Sequence, residues 1–244
     1  MKQTENYYFE QASIPKAIAH MAIPMMLGMS VNMIYSIIDA FFIGRLDNTA
    51  MMTAVTLALP FTTILMAIGN IFGTGGGTYI SRLLGEKKLE DAKKVSSVTF
   101  FLSLIAGYIF MLLAILLINP ILQGLGTKGD TVLFTKNFIM AFIIGSPIVI
   151  TNFALEQVVR AEGASTISMN GMFISVIVNI ILDPILIFAC HLGIVGAAIG
   201  TVLANACAVL YYVSYLRYKS STLTFSLNTF KRSEERRVGK ECME

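Results

Sequence analysis

Two aspartates stand where an aspartate is costly: Asp39 in MIYSIIDAFFIG and Asp183 in VNIILDPILIF, each near the end of an apolar stretch long enough to cross a bilayer. A carboxylate at mid-membrane depth costs roughly 2.5–3.5 kcal/mol on insertion scales, so such groups face a protein interior or a watery cavity. Taken alone, either one is also readable as an interfacial aspartate that caps a helix or reaches to water. Together, on different segments, they suggest one shared site. Asn179 precedes Asp183 by one helical turn and shares its face. Further on, Gly196, Gly200, Ala204 and Ala208 make a stripe of small residues suited to tight helix packing, with Thr201 and Asn205 beside it. Tight packing there brings Thr201 within reach of Asp183 or Asp39. Asp39, Asn179, Asp183 and Thr201 then form an all-oxygen set of the kind hard cations prefer, which makes Na⁺ chemically reasonable. Protons are equally reasonable, because two carboxyls crowded into a poorly solvated cavity titrate as a coupled pair.

Membrane helices are the elements that must hold these groups. Of 244 residues, 55% are hydrophobic and 14% charged, against about 25% charged in soluble domains; mean hydropathy is +0.72. The fold class expected is an all-α integral membrane protein. A net charge of +3 implies no nucleic-acid partner. Cys190, Cys207 and Cys242 show no CxxC or Cys/His spacing, so neither a disulfide framework nor zinc is expected. No cofactor is expected beyond a coupling ion. Six stretches, near 17–43, 50–72, 95–118, 132–157, 166–189 and 194–216, each reach the ~20 apolar residues that a crossing needs. Helices are the default for them, since unpaired backbone groups are expensive in lipid. The first is too long for a signal-peptide core of about 7–15 residues and is expected to remain as a helix. Residues 1–13 ahead of it read as a short cytoplasmic lead-in.

Basic residues set the orientation. With the N-terminus inside, Lys2, Lys16, Arg82, Lys87, Lys88, Lys93, Lys94, Arg160, Arg217 and Lys219 are cytoplasmic, and only Arg45, Lys128 and Lys136 lie outside. That asymmetry predicts N-in and, with six helices, C-in, in a multi-pass protein of the plasma (cytoplasmic) membrane. The connection RLLGEKKLEDAKK is expected to be a solvated helix with a Glu90→Lys94 pair; contact with anionic lipid is the second reading.

Several further residues stand out. Pro24 bends the first helix, as a static kink or as a hinge. At about 100° per residue, Gly28, Asn32, Tyr35 and Asp39 fall close to one line. The methionines crowded beside them, Met21, Met25, Met26, Met29 and Met33, read first as packing filler. The glycines from Gly69 to Gly77 end the second helix without the spacing of a phosphate loop, and suit close helix approach instead. Asn152, Glu156 and Arg160 follow one another at helical spacing, and Glu156 is expected to pair with Arg160. Paired intramembrane aspartates also belong to aspartyl proteases, a remote alternative. No GxGD precedes either aspartate and no GxSG serine is present, so an enzyme is not expected. A receptor or scaffold would leave the polar set unexplained.

At these residues the chain resembles the N-terminal half of a multidrug and toxic compound extrusion (MATE) transporter, within the wider group that includes polysaccharide and lipid-linked-precursor flippases. The matching pieces are the IP and IIDAFFIGRL of helix one, ALPF, GTGGGTYISRLLGEKKLEDA, EQVVRAEG and VNIILDPILIFACHLGIVGAAIGTVLAN; together they cover roughly residues 10–220. The resemblance implies export of cationic or amphipathic drugs in exchange for Na⁺ or H⁺. By position, Asp39, Asn179, Asp183 and Thr201 are similar to the family's N-lobe cation site, and Pro24 to its first-helix proline, whose bending is linked to coupling. Tyr35 and Asn152 are implied as substrate contacts. A lipid-linked oligosaccharide flippase is the alternative, whose large headgroup would require a more basic cavity. Family members have twelve helices in two lobes, whereas residues 14–220 supply one lobe of six. The partners implied are membrane lipid, a small cationic or amphipathic substrate, and either a missing C-terminal lobe or a second copy of the chain. Truncation is the simpler account. Residues 221–244 are expected to be a cytoplasmic tail, within which 231–244 (KRSEERRVGKECME) carries nine charges in fourteen residues and reads as foreign or disordered sequence.

Overall fold

The computed structural model describes residues 14–46, 48–218 and 220, and every regular element among them is helical. In order these are α1 (Ile14–Gly44), α2 (Thr49–Gly85), α3 (Leu89–Leu116), α4 (Ile118–Gly124), α5 (Thr131–Ala161), α6 (Ser165–Pro184) and α7 (Ile194–Tyr218). A π-helical turn, Ile185–Ala189, continues α6. Six of these are long and apolar enough to span a membrane; the short α4 is not, and turns Leu122 into the core. The proposed lead-in (1–13), the tail (221–244) and Cys242 lie outside the described residues.

The central helix is α5, with 72% of its most apolar window buried. It packs against α2, α3 and α7, while α6 lies mainly on α7, and α1 lies mainly on α6 and makes little contact with α2. Because lipid tails are as apolar as leucine, these contacts are held by close packing rather than by expulsion of water. Glycine makes the closest of them possible. A Cβ added at Gly69 would stand 2.7 Å from the Ile150 carbonyl oxygen, and one at Gly73 would stand 2.9 Å from Ala154 Cα.

That contact explains a difference from expectation. The second helix does not end near residue 72; α2 runs unbroken through the glycines to Gly85. A helical glycine costs about 1 kcal/mol relative to alanine, but here the glycine face lies on α5, and in lipid the helix cannot give up its backbone bonds. The connection RLLGEKKLEDAKK is consequently not one solvated helix. α2 ends in it, Glu86–Lys88 turn with Lys87 in the left-handed region at φ 59°, and α3 begins at Leu89. The expected Glu90→Lys94 pair is also replaced. Lys93 binds Glu90 at 2.9 Å and Lys94 binds Asp91 at 2.7 Å, because Asp91 lies nearer Lys94, and both acids sit in the first turn of α3 where the helix dipole favours them. In the turn, the Lys88 ammonium, with Arg82 behind it, holds the Glu86 carboxyl below the usual carboxylate range.

The methionines of α1 differ as well. Met26, Met29 and Met33 are exposed and point away from the lobe instead of filling it, because α1 lies at the edge and turns its Gly28 face, not its methionine face, to α6. Pro24 is accommodated in an unbroken α1.

The glycine contacts give a paired prediction. Gly69→Leu should destabilise the lobe by about 1–3 kcal/mol through overpacking against α5. Gly75, with no atom within 4 Å of an added Cβ, should accept Gly75→Ala with a gain of up to about 1 kcal/mol. Thermal unfolding in detergent measures both; equal effects would contradict the packing described.

Candidate functional site

The site forms where α6, α7 and α1 meet. α6 carries Asp183 fully enclosed (0% exposed) and Asn179 buried one turn earlier. Pro184 follows directly and has no N–H to give to the turn before it; just beyond, the Cys190 N–H reaches five residues back to the Ile185 carbonyl at 2.9 Å. α7 crosses this region closely because it presents glycine. A Cβ at Gly196 would stand 2.6 Å from the Leu186 carbonyl carbon, and one at Gly200 would stand 2.7 Å from Asp183 Oδ1. The small-residue stripe thus does two jobs, letting the backbones approach and leaving room for the carboxyl.

Asn179 is the hub of the polar contacts. In the amide orientation that satisfies both of its ends, Nδ2 donates to Asp183 Oδ1 at 2.7 Å, and Oδ1 accepts from the Tyr35 hydroxyl at 2.7 Å. Thr201 Oγ1 lies 3.3 Å from Asn179 and donates its single hydrogen to the Ala197 carbonyl at 3.0 Å, leaving oxygen lone pairs for the site. Asp39 approaches from α1, its carboxyl within hydrogen-bonding reach of that of Asp183. Such a contact between two carboxyls needs a proton or a cation between them. Asp39 Oδ1 is enclosed and, among the described residues, meets no hydrogen-bond donor, which leaves it open to a proton, a water or a metal cation. Among the described residues no group of three His, Cys, Asp or Glu gathers anywhere; the ligand set here is two carboxyls and neutral oxygens, which suits a small hard cation.

The structure therefore brings Asp39, Asn179, Asp183 and Thr201 together. It also places Tyr35 in direct contact with Asn179, inside the cluster and not merely in a substrate path. The signal was its position one turn before Asp39. Asn152 stands apart: its Nδ2 donates to Asn205 Oδ1 at 2.8 Å, and Asn205 Nδ2 donates to the Thr201 carbonyl at 2.7 Å. Asn205 is thus the residue that links Asn152 to the cluster. Pro24 lies about four turns before Asp39 on α1. Glu156 and Arg160 pair with each other, as their spacing suggested.

A cavity of about 310 Å³ adjoins the cluster between α1, α2, α5 and α7. Tyr35, Asp39, Thr201 and Asn205 form one wall, and Met66, Phe138, Phe142 and Phe153 are on others. Asp39 is the one charged residue in this lining, with no Lys or Arg beside it.

Residues 24–185 match the family model MatE. The multidrug export protein MepA of Staphylococcus haemolyticus is 45% identical over 231 residues, which cover 95% of this chain and 51% of that protein. MepA of Staphylococcus saprophyticus is 44% identical over 235 residues, covering 96% and 52%. Among solved structures, a MOP superfamily transporter from Pyrococcus furiosus superposes with a TM-score of 0.83 at 30% identity, over 88% of this chain and 48% of that one. MATE transporters solved in a bent and in a straight conformation give TM-scores of 0.81 and 0.82 at 29% and 28% identity, each over 88% of this chain and 48% of theirs. The chain spans about half the length of the relatives it matches. With a family match across most of the spans, and the same arrangement of six helices, it belongs to the MATE family and corresponds to the family's N-terminal six-helix half.

Proposed function

We propose that this lobe is the cation-coupling half of an exporter that expels cationic or amphipathic compounds in exchange for Na⁺ or H⁺. The single observation that carries the reading is the contact between the Asp39 and Asp183 carboxyls, enclosed among Asn179, Tyr35 and Thr201. Such a pair has unequal affinity for ions in any two arrangements of α1 and α6, and a bound ion shifts a conformational equilibrium only through that difference. Asn179 distinguishes the two candidate ions. With a proton shared by the carboxyls, its Nδ2 donates to Asp183. With Na⁺ between them, its amide must turn over to present oxygen, and Nδ2 then donates to Tyr35 Oη, which lies 2.7 Å away in that orientation.

The adjoining cavity supports a cationic substrate, since Asp39 is its only charge and aromatic rings and methionine line its walls. A flippase for an anionic lipid-linked headgroup would need basic residues there. Transport, not hydrolysis, is the reading that fits the family, so no catalytic role is assigned to the aspartates.

A second lobe, or a second copy of the chain, completes the path. On α1 and α2 exposed polar side chains, including Ser30, Asn32, Ser36, Thr56 and Thr63, are interspersed with exposed apolar ones such as Met33, Ile37, Phe41, Leu59 and Ile64, whereas Leu102, Leu112, Ile144, Leu203 and Leu210 are among those exposed on α3, α5 and α7. The faces of α3, α5 and α7 suit lipid; the mixed apolar and polar surface of α1 and α2 suits a partner lobe. Pro24 is the proposed hinge, because the carbonyl it leaves unpaired lets α1 bend there at low cost.

Two outcomes test this reading. Asp39→Asn in the intact exporter should abolish ethidium efflux driven by an imposed Na⁺ or pH gradient while membrane insertion stays normal; wild-type efflux would overturn it. Gly200→Val, which drives a side chain against Asp183, should weaken ion binding by at least about tenfold, a loss of roughly 1.4 kcal/mol. The readout is the ion concentration that half-restores thermal stability in detergent. Sodium stabilisation absent with potassium or choline assigns Na⁺; no sodium effect, with ethidium-driven proton flux, assigns H⁺.

A further inference from the structure

Glu156 is an enclosed carboxylate that the cation cluster does not use. It sits on α5 one turn after Asn152 and one turn before Arg160, with which it pairs. Arg160 also donates to Gln157 Oε1 at 3.1 Å and to Ser168 Oγ on α6 at 3.3 Å. A separate cavity of about 150 Å³ lies against Glu156, enclosed by α1, α5, α6 and α7. Three of its lining residues, Tyr35, Asn179 and Thr201, are members of the cluster, and Asn152, Asn205 and Glu156 extend the polar wall away from it. The space has room for a few waters, and its lining supplies the polar partners that buried water needs.

One atom points to what occupies that space. Asn152 is 7% exposed and spends its Nδ2 on Asn205, while its Oδ1 is buried with no donor. A buried amide oxygen in a polar cavity takes a hydrogen from water. The positions around it repeat by one turn on each helix: Asp183 and Asn179 on α6, Asp39 and Tyr35 on α1, Thr201 and Asn205 on α7, Asn152 and Glu156 on α5. The result is a single polar column. On α6 the cavity lining runs from Asn179 to Gly171, about 12 Å at 1.5 Å per residue, with Asp183 one turn beyond its outer end and the Arg160–Ser168 contact just beyond its inner end.

We propose that this column is a water-filled proton path joining the Asp39–Asp183 pair to the basic side of the membrane, with Glu156 as its inner proton-accepting group. It rests on the coupling function proposed above and deepens it, since this branch carries H⁺ and not Na⁺. Glu156 stands between the aspartate pair and the aqueous side. One carboxyl of the aspartate pair gives its O–H proton to a cavity water, a water at the inner end gives one to the Glu156 carboxylate, and Glu156 releases it to the aqueous side; the aspartate loses a proton as Glu156 gains one. Amides of Asn152 and Asn205 hold the waters in line, and the Tyr35 hydroxyl closes the chain onto Asn179. Arg160 sets the selectivity. Its guanidinium neutralises Glu156 and repels a metal cation, while leaving proton exchange open. The ionisable groups facing Glu156 are Arg160 on its own helix, Tyr212 from α7 and, across the cavity, Tyr35 from α1; α6 contributes Met172, Ser175 and Asn179 to the lining, none of them ionisable.

A static role, with the pair merely clamping α5 to α6 through Ser168, makes a different prediction in the presence of a diffusible acid. The test uses inverted membrane vesicles from cells expressing the exporter in its full reading frame, with ethidium as substrate and a pH-sensitive dye as readout. Glu156→Gln should slow ethidium-driven proton flux by at least about tenfold, and formate, a small carboxylic acid able to enter the cavity, should restore it. Undiminished flux in Glu156→Gln overturns the path, as does a loss that formate leaves in place. Should Glu156→Gln fail to accumulate, Glu156→Asp carries the test: a carboxyl of shorter reach should displace the pH profile of the flux while efflux persists, and an unchanged profile overturns the path. Asp39→Asn separates the two levels. Flux abolished by Asp39→Asn but untouched by Glu156→Gln removes the path alone, whereas flux untouched by Asp39→Asn removes the coupling site on which it rests. Sodium-driven efflux without proton movement also removes the path and leaves the aspartate pair standing.

Discussion

A fully enclosed carboxyl at Asp183, in a bundle built to sit in lipid, is the constraint from which much of the architecture follows. A buried charge or polar group is tolerable only when neighbours satisfy it, and each neighbour here imposes a demand on a different helix. Asn179 must share a face with Asp183, which fixes the turn of α6. Gly200 must lack a side chain, or Asp183 Oδ1 has no room. Tyr35 must reach across from α1, which sets the position of that helix on α6. Asp39 then meets the same carboxyl from the far side. Three helices are fixed in register by one acidic group.

Much of this was legible in the sequence for a simple reason. Polar residues are rare in a membrane span, so each has to be explained, and one-turn spacing places them on faces without further information. Asp39, Asn179, Asp183 and Thr201 were found in that way, and the packing that joins them followed from glycine and alanine at four-residue spacing. What was not legible depended on partners that composition does not reveal. Tyr35 joins the cluster instead of merely lining a path, because α1 approaches α6 closely enough for its hydroxyl to reach Asn179; the spacing gave its face but not its partner. The glycines of α2 looked like a helix end because glycine disfavours helix when nothing packs against it. With α5 laid along that face, the same residues become a reason to continue. Met26, Met29 and Met33 of α1 were misplaced for the opposite reason: an apolar residue on a membrane helix carries no mark of whether it meets protein or lipid.

The packing pattern also bears on how an ion could act on the rest of the lobe. α2, α3, α5 and α7 hold one another through close backbone contacts, several made at glycine. α1 does not share in this. Its main attachment is α6, where Gly28 lies against Met172, and it barely touches α2 or α7. The Asp39–Asp183 contact thus falls on the seam between α6, against which α7 packs at Gly196 and Gly200, and the least-braced helix. A proton or cation placed there changes the attraction across that seam more than any contact within the braced group. Pro24, about four turns from Asp39 on the same helix, is the proposed hinge, which would let the inner part of α1 follow a different course from the part held at the site. Under the proposed coupling, local ion chemistry is joined to the least-braced helix, so a small change in charge at one end would have a mechanical outlet at the other. The polar column below the site runs between α1 and the three helices α5, α6 and α7, so any movement of α1 also alters the width of that column. Under the two proposals, ion occupancy and water access become two readings of the same helix position.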